Sequence, residues 1–190
     1  MSKPKLARDR LFRNGKPTLR PMQESDLAVL WAAYKLGGLD GRMGLDALGE
    51  MDQEEFTDKM LQILSQNYAS WIIEDKNHKF GDGSGPVGLM VAKFNGWTME
   101  PHYLPFPWST PRNKIKAVVA FMMKARYEKG VGVLDVFARE NDKDFFRHLQ
   151  KRYGVMYYVG KVPRGDYGAD KYYFYGRGGS YFKGINRCHS

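Results

Sequence analysis

The sequence contains a single cysteine, Cys188, among its 190 residues. One cysteine excludes an internal disulfide framework and a zinc site built from several cysteines, so we predict no metal site and expect a reducing, intracellular setting. The chain also lacks a run of about 18 apolar residues, the length that a membrane-spanning helix needs. Its basic N-terminus has no apolar segment of the kind found in secretory signals. These absences predict a cytoplasmic protein without membrane contact.

Acidic residues are the second shortage, because 21 Asp and Glu stand against 30 Lys and Arg, for a net charge of +9. A basic surface attracts nucleic acid, acidic proteins and phosphorylated cofactors through a field that does not distinguish among them. A solvated surface without any partner explains the same excess of charge. The charge therefore makes nucleic acid a possible partner without establishing one.

Hydrophobic residues make up 43% of the chain, which is enough for the core of one domain of ordinary size. Hydrophobic spacing predicts strands and helices across residues 17–177. Residues 1–16 are basic and have few periodic apolar positions, so we predict an N-terminal arm that becomes ordered on a partner. Residues 178–190 are predicted to be a glycine-rich, aromatic and basic C-terminal tail.

Local signals predict where several elements begin and end. Asp52 followed by Glu55 is a capping-box pattern at the start of a helix. The dipeptide Asn95-Gly96 predicts a hairpin turn between two strands. Thr110 and Pro111 fit the N-cap and the first position of the strongest predicted helix.

That helix is predicted to end at Lys129 and to connect the strands Tyr103–Trp108 and Val131–Ala138 as a central parallel pair. Asn141 or Asp142 is expected to cap the next helix, which Gly154 ends. Ten apolar residues are predicted to be largely buried: Trp31, Trp71, Leu89, Val91, Ile115, Val119, Met122, Leu134, Val136 and Phe146.

The predicted order is strand, two helices, three strands, helix, strand, helix and two strands. It resembles the GCN5-related N-acetyltransferase (GNAT) fold across nearly all of residues 17–177. Leu19-Arg20-Pro21 before Asp26-Leu27 resembles the family's first strand and helix, and residues 136–141 before Phe145-Phe146 resemble a late strand and helix. The resemblance implies an α/β (α+β) domain with a mixed, mostly antiparallel sheet of about six to seven strands and about four helices.

The resemblance also implies a place for acyl-coenzyme A (acyl-CoA), between the splayed fourth and fifth strands. GNAT proteins hold its pyrophosphate on backbone N–H groups at the start of the following helix, usually in a glycine-containing turn. The matching stretch here, residues 109–117, has no glycine to let the backbone approach a phosphate closely. We therefore predict no cofactor, with acetyl-CoA as the cofactor if the protein is active. Four residues would then bind it: Arg112, Asn113, Lys114 and Ile115. Lys116 could add charge.

Acetyl transfer uses a base for the acceptor amine and an acid for the departing thiolate. The family often places a Glu on the central strands and a Tyr on the later helix, and the resemblance assigns these catalytic roles to Glu100 and Tyr153. A structural interpretation stays open for both. Glu100 also fits a carboxylate on a hairpin surface, and Tyr153 fits an aromatic residue packed on its own helix.

Residues 103–113 resemble a segment of GNAT-like proteins encoded in tailed-phage gene clusters. The resemblance implies a viral source, with the host cytoplasm or the virion as the location. Two hypotheses follow. In the first, the chain is a phage protein with a degenerate acyl-CoA site that acts by protein contacts in virion assembly. In the second, it is an active N-acetyltransferase that acetylates an amine. The glycine-free turn favours the first.

Overall fold

The computed structural model describes residues 3–37, 50–65, 68–80, 83–125, 131–138, 142–162 and 171–177. The predicted C-terminal tail, the helix end at Lys129 and the alternative cap Asn141 lie outside the described residues. The helices are α1 (Lys3–Leu11), α2 (Leu27–Lys35), α3 (Gln53–Ser65), α4 (Pro111–Ala125) and α5 (Lys143–Tyr153), with a short 3-10 helix at Glu24–Asp26. The strands are β1 (Thr18–Pro21), β2 (Tyr68–Phe80), β3 (Gly83–Asn95), β4 (Thr98–Pro105), β5 (Val133–Ala138), β6 (Tyr157–Val162) and β7 (Lys171–Arg177).

The seven strands form one sheet in the order β1-β2-β3-β4-β5-β7-β6. The pairs β1–β2, β2–β3, β5–β7 and β6–β7 are antiparallel, whereas β4–β5 is parallel. This confirms the predicted mixed, mostly antiparallel sheet with one parallel pair. The described residues contain five α-helices rather than about four, because α1 forms within the region predicted to be an arm.

The predicted position of the parallel pair was wrong. The pairing joins Thr98 to Val133 and Met99 to Leu134, at the start of β4 rather than at Tyr103–Trp108. The strand ends at Pro105, and the next N–H, that of Phe106, donates to the carbonyl of Val87 at 3.2 Å. Pro105 and Pro107 have no N–H to give to a ladder, so regular pairing does not extend through this segment.

One compact unit comprises residues 15–93 and 102–117. Its core is formed by buried side chains from α2, α3 and strands β2 to β4, among them Leu30, Phe56, Ile72, Leu89 and Leu104. The predicted capping box at the start of α3 is confirmed. The Glu55 N–H donates to Asp52 Oδ1 at 2.9 Å, and the Asp52 N–H donates to Glu55 Oε2 at 3.2 Å.

Arg20 joins the first strand to the helix that follows it. Its guanidinium donates two hydrogen bonds to the carboxylate of Asp26, at 2.6 and 2.7 Å, and one to Glu74 Oε1 at 2.8 Å. Burial alone would raise the pKa of Asp26, but the hydrogen bonds from Arg20 and from the Gln23 N–H lower it below its usual value. In the sequence pattern Leu19-Arg20-Pro21 and Asp26-Leu27, Arg20 and Asp26 therefore form a two-pronged ion pair that fixes the turn from β1 to α2.

The other unit comprises residues 1–14, 94–101 and 118–190. Within it, residues 3–11, predicted to be part of an arm, form helix α1, which packs against α5. Arg8 Nη1 donates to the carbonyl of Tyr153 at 2.7 Å, and Leu11 is buried. The sequence signal was weak because a helix this short needs only one or two apolar contacts to a neighbour.

The burial predictions are confirmed for seven of the ten residues: Trp71, Leu89, Val91, Val119, Met122, Leu134 and Val136. Trp31, Ile115 and Phe146 are buried less completely than the other seven and have intermediate exposure. Trp31 stacks on Tyr34, and the ammonium of Lys35 lies 5.4 Å from the centre of its ring, so one part of the indole borders solvent. Helical spacing locates an apolar face, but it does not determine how much of each residue on that face is exposed to solvent.

Two predicted turns are confirmed, and Asp142 occupies the predicted N-cap position of α5. Gly96 closes the β3–β4 hairpin with a φ of 60°, and Gly154 ends α5 in the left-handed conformation, also at φ 60°. Both positions favour glycine because a Cβ disfavours positive φ. The side chain of Asp142 makes no capping hydrogen bond to α5, and its backbone is already helical.

Candidate functional site

The connection from β4 to α4 lies along the start of β3. Trp108 Nε1 donates to the carbonyl of Pro86 at 2.8 Å, and the hydroxyl of Ser109 donates to the carbonyl of Val87. Phe106 is buried beside Trp108, with the ring centres 5.1 Å apart. These contacts fix the direction in which the chain enters α4, the helix whose first turns carry the four predicted cofactor-binding residues.

The first turn of α4 is closed by its own side chains. The Asn113 N–H donates to Thr110 Oγ1 at 3.2 Å, and Asn113 Oδ1 accepts from the Thr110 N–H at 3.1 Å. Thr110 Oγ1 also donates to Asn113 Oδ1. This is a reciprocal cap with Asn in the place of the usual Glu or Gln, and it confirms the predicted N-cap role of Thr110.

The backbone donors of residues 109–114 are nearly all in use. The Ser109 N–H donates to the carbonyl of Phe106 at 2.9 Å, and the Lys114 N–H donates to the carbonyl of Thr110 at 3.1 Å. Thr110 and Asn113 donate within the cap, and proline has no N–H at position 111. Within the described part of the chain, only the N–H of Arg112 in this stretch lacks an acceptor. The turn therefore does not fit a pyrophosphate that needs several free N–H groups.

Asp75 of β2 forms a buried polar network with α4. Its Oδ2 accepts from Lys116 Nζ at 2.8 Å and from Asn113 Nδ2 at 2.9 Å. Its Oδ1 accepts from the N–H and from Nδ2 of Asn77, both at 3.0 Å. The exposed fractions of Asp75 and Lys116 are 1% and 3%. Every oxygen of the carboxylate is hydrogen-bonded, as a buried charge requires.

The network sets the charge state of its carboxylate. Burial alone would raise the pKa of Asp75, but the hydrogen bond from Lys116 and those from Asn77 lower it below its ordinary value. Asp75 is therefore ionised at neutral pH and neutralises the Lys116 ammonium. Lys116 could have supplied charge to a bound phosphate, but its ammonium is committed to this internal partner.

The predicted cofactor-binding residues lie together on the first turns of α4 but have different surroundings. Arg112 is exposed, and Lys114 and Ile115 are half-buried. The side chain of Asn113 is buried, and it binds Thr110 and Asp75. Two cations, those of Arg112 and Lys114, are thus the side chains of this set that an anion could reach.

The two predicted catalytic residues have different surroundings. Glu100 is half-buried on β4, next to the paired residue Met99. Tyr153 is 5% exposed at the end of α5, where its ring packs edge-on against His148 and its carbonyl accepts from Arg8. Its position matches the structural interpretation of an aromatic residue packed on its own helix.

A groove of about 250 Å³ lies between the 3-10 helix, α3 and the start of β2. None of the predicted site residues lines it. Among the described residues, no helix has both the length and the apolar character that crossing a membrane requires. The same residues contain no group of three or more His, Cys, Asp and Glu placed to hold a metal ion.

Sequence reasoning missed Asp75. It follows the buried run Trp71-Ile72-Ile73 by two residues, and nothing local distinguishes it from a surface carboxylate on a strand. The available signal was Lys116, which lies between Ile115 and Ala117, three residues after Asn113 on the inner side of a helix. A lysine on an inner helical face requires a carboxylate partner, although the sequence does not say which one.

No protein-family model matches the sequence, and no curated protein matches it. Solved structures do match. The ribosomal L7/L12 alpha-N-protein acetyltransferase in complex with coenzyme A is 12% identical, with a TM-score of 0.66 over 87% of this chain and 96% of that chain. Spermidine N-acetyltransferase from Vibrio cholerae, in complex with CoA and spermine, is 12% identical, with a TM-score of 0.64 over 88% of this chain and 98% of that chain. The chain therefore has the fold of the GNAT acetyltransferases.

Proposed function

We propose that this chain is a GNAT-fold protein with a degenerate acyl-CoA site that acts through contacts with other proteins. The observation that carries the proposal is the closed start of α4. There the Thr110–Asn113 cap and Pro111 leave a single free N–H, that of Arg112, within residues 109–114, all of which the structure describes. The resemblance of residues 103–113 to phage-encoded proteins extends the proposal to virion assembly, with the host cytoplasm and the virion as the locations.

The loss of acyl-CoA affinity follows from the number of hydrogen bonds that its pyrophosphate would lack at this turn. A hydrogen bond to a charged group contributes about 1.5–3 kcal/mol. Without two such bonds, a pyrophosphate binds about two to four decades more weakly, because each 1.4 kcal/mol is tenfold in affinity. A site of micromolar affinity would then fall below detection at ordinary concentrations. Asp75 accepts hydrogen bonds from Asn113 and Lys116, so neither of these side chains is available to an anion at this turn.

Exposed aromatic residues at the β3–β4 hairpin support a role in protein contacts. Phe94 and Trp97 flank the turn at Asn95-Gly96, and 37% and 54% of their respective surfaces are exposed. Aromatic side chains are enriched at the centres of protein interfaces, where they bury much area at small entropic cost. Two of them beside a tight turn are therefore suited to a protein surface.

Calorimetric titration of the full chain with acetyl-CoA tests the proposal. We expect no saturation below about 100 μM, since the predicted weakening by two to four decades moves a dissociation constant of about 1 μM to roughly 0.1–10 mM. Desulfo-CoA serves as a control for reaction of the thiol. Saturation in the low-micromolar range, weakened by Arg112→Ala or Lys114→Ala and unaffected by Lys59→Ala, would overturn it.

An active N-acetyltransferase is the second candidate, and the parallel pair favours it. Among the described residues, β4 and β5 pair at two positions, Thr98–Val133 and Met99–Leu134, and GNAT proteins hold acyl-CoA where these strands splay. Both structural neighbours described above are complexes with CoA. A thiol-release assay with spermidine and with a peptide N-terminus as acceptors tests this candidate. Activity that falls in Glu100→Gln and Tyr153→Phe, with folding unchanged, would establish it.

A further inference from the structure

Helices α1 and α5 bring an unneutralised group of cations to one part of the molecule. Helix α1 and the turn after it carry five basic residues, Lys3, Lys5, Arg8, Arg10 and Arg13, against one acid, Asp9. The last turn of α5 adds Lys151 and Arg152. The acids Asp142 and Asp144 lie at the opposite end of this helix, at its start. The cationic end of α5 is the end that contacts α1, because Arg8 donates to the carbonyl of Tyr153.

Specific contacts hold the two cationic segments together. Arg8 donates at 2.7 Å to the carbonyl of Tyr153, which is the last residue of α5. Pro4 Cβ lies 3.3 Å from the position that a Cβ on Gly154 would occupy. Pro4, Arg8 and Leu11 therefore form the inner face of α1, and its other residues point away from α5 or along its flanks.

Among the residues that the structure describes, the cations on the outside of this pair have no acidic partners. Lys3, Lys5, Arg10, Arg13, Lys151 and Arg152 are all exposed, and none forms an ion pair with another described residue. Lys3, Leu6, Arg10 and Arg13 follow one another at intervals of three and four residues, which places them along one side of the helix and its following turn. Like charges carried on two packed helices repel one another, and an anionic partner would relieve that repulsion.

The chemistry of this surface distinguishes among anionic partners. Leu6, with 42% exposure, is the large apolar side chain exposed on α1. A protein interface needs a desolvated apolar centre, and a helix that lies in a membrane surface needs a broad apolar face. A nucleic-acid backbone needs neither, because release of its condensed counterions supplies affinity from cations alone.

We propose that the α1–α5 surface, formed by Lys3, Lys5, Arg10, Arg13, Lys151 and Arg152, binds the phosphate backbone of nucleic acid without sequence specificity. The proposal does not depend on the acyl-CoA site, because all six residues lie in the unit that excludes the start of α4. Helix α1 thus presents fixed cations rather than a flexible basic arm. Fixed cations bind phosphates with a smaller loss of side-chain and backbone entropy.

Fluorescence anisotropy with a labelled duplex of about 20 base pairs, long enough to span more than one turn of DNA, tests the proposal on the full chain. We expect binding in the micromolar range that weakens linearly in a plot of log affinity against log NaCl concentration. The variant Lys3→Gln/Arg10→Gln/Arg13→Gln should reduce the slope by about three and lower affinity by about tenfold per side chain at about 50 mM salt. The variant Lys151→Gln/Arg152→Gln tests the same surface from α5 and should reduce the slope by about two.

The matched control is Lys59→Gln/Lys76→Gln/Lys93→Gln, which removes the same charge from residues outside α1 and α5. It should change affinity by less than about threefold, because charges that do not contact the phosphates contribute only a screened field at about 0.1 M salt. No binding by the wild type, or equal reductions in the control and the α1 variant, would overturn the proposal. Tighter binding to phosphatidylserine vesicles or to polyglutamate than to the duplex at the same salt would also overturn it, in favour of a membrane or an acidic protein. Circular dichroism verifies that each variant is folded.

Discussion

Replacing Asp75 by asparagine removes the charge of the buried network while keeping nearly the same shape. The Lys116 ammonium, with 3% exposure, is then left in the interior without a counter-ion. The introduced amide can still accept one hydrogen bond and can contact Asn113 and Asn77, so the effect is electrostatic rather than one of volume. The substitution therefore isolates the contribution of a charge pair whose two atoms are 2.8 Å apart.

The cost should be large. Removing one partner of a buried ion pair destabilises a protein by about 3–5 kcal/mol, because the remaining charge has neither water nor its counter-ion. Domains are stable by about 5–15 kcal/mol in total, so Asp75→Asn should remove a substantial fraction of the free energy of unfolding. For a chain of this length, the melting temperature should fall by about 6–20 °C.

Urea denaturation followed by circular dichroism measures this destabilisation. The double variant Asp75→Asn/Lys116→Met should recover most of it, because it removes both charges and fills the space of the lysine stem with an apolar chain. The exposed pair Lys35–Glu50, with side-chain exposures of 46% and 86%, provides the control, and Glu50→Gln should cost less than about 1 kcal/mol. A cost below about 1 kcal/mol for Asp75→Asn, or a double variant less stable than the single, would show that the pair does not stabilise α4.

The same substitution has a signature in pH. The pKa of Asp75 is lower in the folded protein than its ordinary value, so its contribution to stability is present above the pKa of the unfolded chain, about 4. That contribution is lost as the pH falls through the lowered pKa. The wild type should therefore lose stability more steeply than Asp75→Asn below about pH 4. Parallel stability curves for the two proteins between about pH 5 and pH 2 would contradict the assigned ionisation.

Two further substitutions test the packing around the site and the late helix. Thr110→Ala removes the acceptor of the Asn113 N–H and should lower the free energy of unfolding, measured in urea, by about 1 kcal/mol. The control is Thr18→Ala, at the exposed start of β1. An unchanged denaturation midpoint for Thr110→Ala would show that the cap does not stabilise the protein. Phe146→Ala should lower the free energy of unfolding by about 1–3 kcal/mol, less than the roughly 3–5 kcal/mol lost at a fully buried Phe. Phe146 is half-buried, and its ring centre lies 5.5 Å from that of Phe174. A loss above about 4 kcal/mol would show tighter packing than this contact implies.

Local patterns in the sequence predicted several features of the fold correctly. The Asp52–Glu55 capping box, the Thr110 cap and the turns at Gly96 and Gly154 each require a particular residue type at a particular backbone conformation, so their signals are strong. The parallel pair was expected too far along β4, because which part of a strand meets its neighbour is decided by tertiary packing. Propensity and prolines locate the strand without fixing that register.

The candidate site was less accessible to sequence reasoning, and Asp75 shows why. Lys116 and Asp75 are 41 positions apart, and their pairing depends on how α4 packs on β2. A basic residue near a helix start looks the same in sequence whether it faces solvent, a phosphate or an internal carboxylate. The sequence identified Lys116 as a cation that could add charge for a cofactor. It could not reveal that Asp75 binds this cation inside the protein.

The closed start of α4 and the Asp75 network together explain how the N-terminus of this helix is stabilised although its first turn contains no glycine. A helix N-terminus carries partial positive charge and unpaired N–H groups, which an external anion can satisfy. In this chain the Thr110 and Asn113 side chains satisfy the N–H groups, and the Asp75 carboxylate lies against Asn113 as an internal anion. Within residues 109–114, every N–H group except that of Arg112 is thus paired from within the chain. Under the proposed function, the start of α4 is stable without a ligand, so the GNAT fold persists without the cofactor and selection acts on the surfaces of the protein.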